Sequence, residues 1–196
     1  MYEKQLETLD GCPFPVIFID DFSDVPIRTT PKYTYYRIIE DKGINWQGAK
    51  NLGALMAETE WLLMTDIDHT TPKETIDWLK DNQDLDKNKA YKFKRRINGK
   101  EIDSHPNSFL ITRYNFMSKG GYDLRFQGTK GGEVQFTTLL DFELLPVYLE
   151  TYGADQIKDA MTPRDDDKER EKRYNIYKKM PVEPLINFKF EEYGIL

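Results

Sequence analysis

At 196 residues and 23.1 kDa the chain has the size of one domain with a substantial core, and a single domain is the expectation. Its 34 acidic and 28 basic residues leave a formal charge of -6, with no broad basic field to attract nucleic acid, and no stretch approaches the ~20 apolar residues of a membrane span. The lone Cys12 excludes an intrachain disulfide, and the opening MYEKQLETLDG lacks the apolar core of a signal peptide, so a cytoplasmic location is expected.

Residues 2–9 read as a short amphipathic helix with Leu6 and Leu9 on its apolar side, ended by Gly11 and Pro13. The run VIFIDDFSD then reads as a strand over 16–19 that ends in acid. Asp20 or Asp21 there could hydrogen-bond a nucleobase N–H or a ribose hydroxyl, or could simply stabilise a turn. Residues 25–34 carry two prolines and form a loop, and 35–39 form a further strand. Over 46–59, Trp46, Ala49, Leu52, Leu55 and Met56 recur at helical spacing, while Gly48, Ala49, Gly53 and Ala54 permit close approach to a sheet or a ligand. Lys50 and Asn51, near the start of this helix, offer a cation and an amide to phosphate or ribose; an ordinary solvated lysine is the alternative.

The stretch 61–72, WLLMTDIDHTTP, combines the strongest signals. Four consecutive apolar residues, too short for a free-standing helix, suggest a strand buried on both faces, as in parallel α/β sheets. By strand alternation Asp66 and Asp68 project to one side and can share one cation, with Ile67 and His69 turned to the other. Ligands gather at this end of the strands in open α/β sheets, and hard carboxylate oxygens suit Mg2+ or Mn2+ rather than zinc or copper. Thr71, Pro72 and Glu74 match an N-cap, a first-turn proline and a capping-box return for a helix running to about residue 80. His69 is read as a turn residue or a partner of the cation's ligands rather than a ligand itself, and His105, before Pro106, as exposed.

Residues 81–89 are polar and read as exposed; 91–97 and 109–112 read as strands, joined by a loop in which Asn98-Gly99 suits a hairpin turn. A short helix over 114–119 stops at Gly120-Gly121 and opens GGYDLRFQGTKGGEVQF, whose glycines mark a sharply bending loop that presents Tyr122, Asp123, Arg125, Gln127 and Glu133. Glu133 begins the apolar pattern Val134, Phe136, Leu139 and Leu140, and so lies at a helix N-terminus, where the helix dipole alone favours an acid. Residues 146–149 read as one more strand, 162–179 as a solvated helix of mixed charge that holds no metal, and 181–196 as a returning strand or clasp.

Taken in order, VIFIDDFSD, GINWQGAKNLGALMAETEWLLMTDIDHTTP and SFLITRYNFMSKGGYDLRFQGTKGGE resemble the family-2-type glycosyltransferases of the GT-A fold, across roughly residues 14–140. The resemblance implies a single α/β GT-A domain with a mostly parallel central sheet. Residues 14–80 would form its nucleotide- and metal-binding half, 90–145 its acceptor side and 146–196 a C-terminal extension. The implied activity is transfer of a sugar from a nucleotide-diphosphate donor, a UDP-sugar, to an acceptor hydroxyl with inversion. On this resemblance Asp20 or Asp21 contacts the base, Lys50, Asn51 and Asp66 bind the nucleotide diphosphate, and Asp66 and Asp68 hold Mn2+ or Mg2+. Glu133 would deprotonate the acceptor as general base, with Asp123 in reserve.

Two departures accompany the resemblance. Family members usually open with a strand and a loop that wall the nucleotide pocket, whereas this sequence starts at what reads as the helix after them; a truncated or minimal version is expected, with a homo-oligomer as one way to supply the wall. The usual Glu-Asp pair before the last helix is here Glu133-Val134. A nucleotide-sugar or glycan-binding remnant that has lost turnover is therefore the main alternative. A nucleotidyltransferase ranks below both, because no glycine-rich basic phosphate loop lies near the N-terminus.

Overall fold

A computed structural model of the chain describes residues 2–27, 30–43, 45–127, 132–152, 172, 175–176 and 185–192, with residues 2 and 132–134 described by backbone alone. The helix expected over 162–179 falls almost wholly outside these residues, as do parts of the glycine-rich loop and of the 181–196 segment. In chain order the elements are α1 (Tyr2–Thr8), β1 (Ile17–Asp21), β2 (Thr34–Ile38), α2 (Trp46–Met56), β3 (Trp61–Met64), β4 (His69–Thr70), α3 (Lys73–Asp81), β5 (Ala90–Ile97), β6 (Lys100–Ile102), β7 (Phe109–Thr112), α4 (Arg113–Ser118), a 3-10 turn (Leu124–Phe126), α5 (Gly132–Thr137), β8 (Phe142–Thr151) and β9 (Phe190–Glu192). They fall into two compact units, one made of Met1–Pro13, Glu60–Asn115 and Leu140–Met161, the other of Phe14–Thr59, Phe116–Leu139 and Thr162–Leu196.

The first unit is built on a six-stranded sheet in the order β3-β7-β5-β8-β4, with β6 paired to β5. The expectation of a mostly parallel sheet gives way here: β3, β4, β6 and β7 pair antiparallel, and only β5 with β8 runs parallel. β3 lies at the sheet's end, with Leu62 and Met64 buried and Trp61 and Leu63 only partly covered. Its apolar run thus reports one buried face and a partly covered edge rather than burial on both faces. Asn98 and Gly99 take positive φ angles of 50° and 77° and close a tight hairpin, from β5 to β6 rather than directly to β7. β8 runs well beyond 146–149, through Pro146; its register with β5 shifts between Lys92 and Lys94, and such an irregularity accommodates a residue with no N–H to give the ladder. Tyr91, Phe93, Leu110, Leu145, Val147 and Leu149 form the core, with Trp78 and Leu79 of α3 packed against it. Each fully buried side chain of this size contributes about 1.5–3 kcal/mol. No side chain caps α3, and Glu74 reaches Arg96 at 2.9 Å instead of returning to a capping box.

In the second unit β1 and β2 pair in parallel and β9 adds antiparallel to β2. Leu52 of α2 packs in a cluster with Tyr36, Ile38, Leu124 and Phe188. The helix starts at Asn45, whose Oδ1 accepts from Gly48 N–H at 3.0 Å and from the Gln127 amide at 2.7 Å. Gly48 is required there, since a Cβ would lie 2.6 Å from the Phe188 ring and closer still to the Asn45 amide. Asn45→Ala should lower stability by about 1–2 kcal/mol, read as a lower melting temperature. At the end of α4, Gly121 N–H donates to Phe116 O at 3.1 Å with φ at +63°, the left-handed closure that glycine favours. No helix among the described residues is long and apolar enough to cross a membrane.

Candidate functional site

The strand that carries the aspartates ends at Met64, before either of them. Residues 66–69 instead form a tight turn closed by His69 N–H donating to Asp66 O at 3.0 Å, after which β4 begins. Strand alternation therefore does not govern Asp66, Asp68 and His69. The turn is pinned from two sides. The Gln5 amide of α1 donates to the carbonyls of Asp66, Ile67 and His69, and Tyr152 N–H donates to Asp68 O at 2.9 Å. Thr65 adds its hydroxyl to the Asp66 and His69 carbonyls, 3.3 Å from each. A turn whose backbone is held this closely keeps its side chains where they are.

Those side chains face two histidines. His69 is fully buried, with Nδ1 2.8 Å from Asp68 Oδ1, and His105 Nδ1 lies 3.3 Å from Asp66 Oδ2. The two imidazole rings are 4.6 Å apart between centroids. His105 is thus not exposed as expected: it is partly covered and lies beside Asp66. Arg95 of β5 completes the group, its Nη1 donating to His69 Nε2 at 3.2 Å and its Nε to Asp103 O at 2.9 Å. Burial pushes the Asp68 carboxyl up, but the hydrogen bond and charge of His69, with His105 beyond, bring it below its ordinary value. Burial also pushes the Arg95 guanidinium down, opposed by Asp68 and Asp103. Asp66, His69 and His105 can each offer an atom within 4.8 Å of the others, a spacing that suits a metal ion. Neither histidine was placed among the ligands by the sequence; the usable signal was that the chain has only these two and that one adjoins Asp68.

In the second unit, Asp20 and Asp21 sit at the end of β1. Asp20 Oδ1 accepts from Ser23 N–H at 2.9 Å, and its other oxygen lies 3.8 Å from Arg37. Asp21 Oδ2 accepts from Asn45 N–H at 2.7 Å, which ties β1 to the start of α2. Burial pushes the Asp21 carboxyl up, the Asn45 N–H opposes it, and the charges of Asp20 and Asp41 add to the rise. Asp20 Oδ2 and Asp21 Oδ1 are buried without a hydrogen bond among the described residues. Next to them Phe22 holds a positive φ of 57° and an exposed ring, a conformation rare for a bulky residue and invisible in the sequence.

Lys50 is half-buried on α2. Asn51, fully buried, donates to Tyr122 O and Leu185 O, each at 2.8 Å, and accepts from Tyr122 N–H at 2.9 Å. Both of its amide N–H groups are given to backbone carbonyls and its oxygen accepts from the Tyr122 N–H, so what it holds is the glycine-rich turn. Asp123, also fully buried, grips the Arg125 guanidinium through both oxygens and accepts from Arg125 N–H at 3.0 Å. Its carboxylate is engaged and enclosed, which is poor geometry for a base that must meet an acceptor. Glu133 falls in the first turn of α5, and its side chain lies outside the described part of the structure.

No family model matches the chain, and no curated protein matches it in sequence. Among solved structures, residues 1–349 of S. aureus TarS superpose with a TM-score of 0.60 at 13% identity, over 91% of this chain and 69% of that one. The same protein in complex with UDP gives a TM-score of 0.57 at 12% identity, over 76% of this chain, which spans only 56% of that one. Likeness at such low identity is likeness of fold, and the fold is a mixed α/β arrangement of the GT-A type.

Proposed function

We propose that the chain forms a single GT-A-like domain that transfers a sugar from a nucleotide-diphosphate donor, a UDP-sugar, to an acceptor hydroxyl with inversion and with a divalent cation. The observation that carries the reading is the pinned turn presenting Asp66 and Asp68, on a fold shared with a protein crystallised with UDP. The acceptor oxygen forms a bond to the anomeric carbon as the bond from that carbon to the diphosphate breaks, and UDP leaves with the electron pair. Asp66 and Asp68 gather the cation that offsets the charge growing on the departing diphosphate. Asp20 or Asp21 contacts the base, and Lys50 supplies positive charge to the phosphates. Asn51 serves by holding the Tyr122 turn. Glu133 receives the acceptor's proton, since Asp123 is committed to Arg125.

A panel of labelled nucleotide sugars, with hydrolysis or transfer as readout, tests the activity. Glu133→Gln should lower turnover by about 10^2- to 10^4-fold, the usual contribution of a general base, while donor binding is retained. Donor binding with no turnover by the native chain on any acceptor would identify a binding protein of the same fold instead.

A further inference from the structure

The cation reading above rests on carboxylate oxygens, yet the D-x-D turn is lined by nitrogen as well. His69 Nε2 accepts from Arg95 at 3.2 Å and His105 Nδ1 from Asn107 N–H at 3.3 Å, both long for N–H donors. A metal displaces most readily the donors that hold an imidazole lone pair weakly. Three donor atoms on one tetrahedral ion, each about 2.0–2.2 Å from it, lie ~3.3–3.6 Å apart. The ligand atoms of Asp66, His69 and His105, all within 4.8 Å of one another, therefore reach that spacing with a closure of at most ~1.5 Å. Asp68 beside His69 Nδ1, at 2.8 Å, is the carboxylate partner that fixes the ring and leaves Nε2 for a metal.

We propose that Asp66, His69 and His105 form a site for a nitrogen-preferring divalent cation, with Asp68 orienting His69 and the Arg95 guanidinium the group that the cation displaces from Nε2. One carboxylate and two imidazoles suit Zn2+, Co2+ or Mn2+ far better than Mg2+, and affinity should rise along Mn2+, Co2+ and Zn2+. Arg95 places a positive charge on the same lone pair, so guanidinium and metal are alternative occupants. The inference deepens the transferase reading and rests on it for what the cation does, but not for whether it binds.

The test is calorimetric titration of Mg2+, Mn2+ and Zn2+ into the full chain, with 15N spectra of its two imidazoles recorded in parallel. Zn2+ is expected to bind more tightly than Mn2+, and Mn2+ more tightly than Mg2+, with both imidazole signals shifting on addition of Zn2+. His105→Gln, at a partly exposed position, should weaken Zn2+ by at least about tenfold and leave Mg2+ unchanged, because loss of even an outer partner costs roughly 10- to 100-fold. Arg95→Gln should tighten Zn2+. Imidazole signals that stay put, or Zn2+ affinity indifferent to His105→Gln, overturn the nitrogen ligands; if Asp66→Ala still abolishes Mg2+ or Mn2+ binding, the transferase reading survives. Failure of every cation to bind overturns both.

Discussion

Asp123→Ala should cost about 3–5 kcal/mol, the effect of removing one partner from a buried ion pair, and should leave little folded protein if total stability is in the usual range. Asp123 is fully enclosed and Arg125 nearly so, with guanidinium and carboxylate meeting edge to edge and the Arg125 N–H bound as well. Deleting the carboxylate strands a guanidinium charge where water cannot reach it freely. The Asp123 side chain also caps the 3-10 turn over Leu124–Phe126, whose Leu124 and Phe126 are core residues, so the loss spreads into packing. Chemical denaturation followed by circular dichroism measures it. Asp123→Ala/Arg125→Leu, which removes both charges and restores apolar volume, should recover a large part of the loss. A mild effect of Asp123→Ala on stability with a severe one on turnover would return Asp123 to the role of base.

The second large effect is expected at Asp66. The native chain should bind UDP when Mn2+ is present and much more weakly without it. Asp66→Ala should lower the metal-dependent affinity by about 100-fold or more, beyond the range seen for an outer partner alone. Asp68→Ala should do nearly the same, since it releases His69 from its 2.8 Å partner and removes the second carboxylate of the turn. The turn's backbone is held by Gln5, Thr65 and Tyr152, none of which depends on either carboxylate, so the folded state should survive both substitutions. UDP binding that ignores Mn2+ and both substitutions would reduce Asp66 and Asp68 to turn formers.

Much of the fold was legible because short apolar runs ended abruptly. VIFI and WLLM each stop at acid or a polar turn, and both are strands in the structure to within a residue or two. Gly120-Gly121 stopped α4 as expected, and Asn98-Gly99 gave the tight turn. What the run of four apolar residues could not reveal was sheet direction, because an edge strand with a partly covered outer face carries the same letters as a central parallel one. Alternation failed at Asp66 and Asp68 for a related reason: it holds only while the backbone stays extended, and the chain turns after Met64. The capping box written in Thr71 and Glu74 did not form because the helix starts one residue later, with Pro72 at its N-cap, and Glu74 pairs with Arg96 instead. His105 was unreadable on similar grounds, its significance lying in a ring packed at a tilt against His69 from a separate loop.

The interleaving of the two units has a consequence for anyone who tries to take the protein apart. The chain passes between them after Pro13, Thr59, Asn115, Leu139 and Met161, so no continuous fragment contains one whole without stretches of the other. A cut that ends the chain before residue 185 deletes β9 from the edge of β2, Phe188 from the core around Leu52, and the Leu185 carbonyl from Asn51. Limited proteolysis should therefore yield nicked protein whose pieces stay together until denatured, rather than a trimmed core that folds alone.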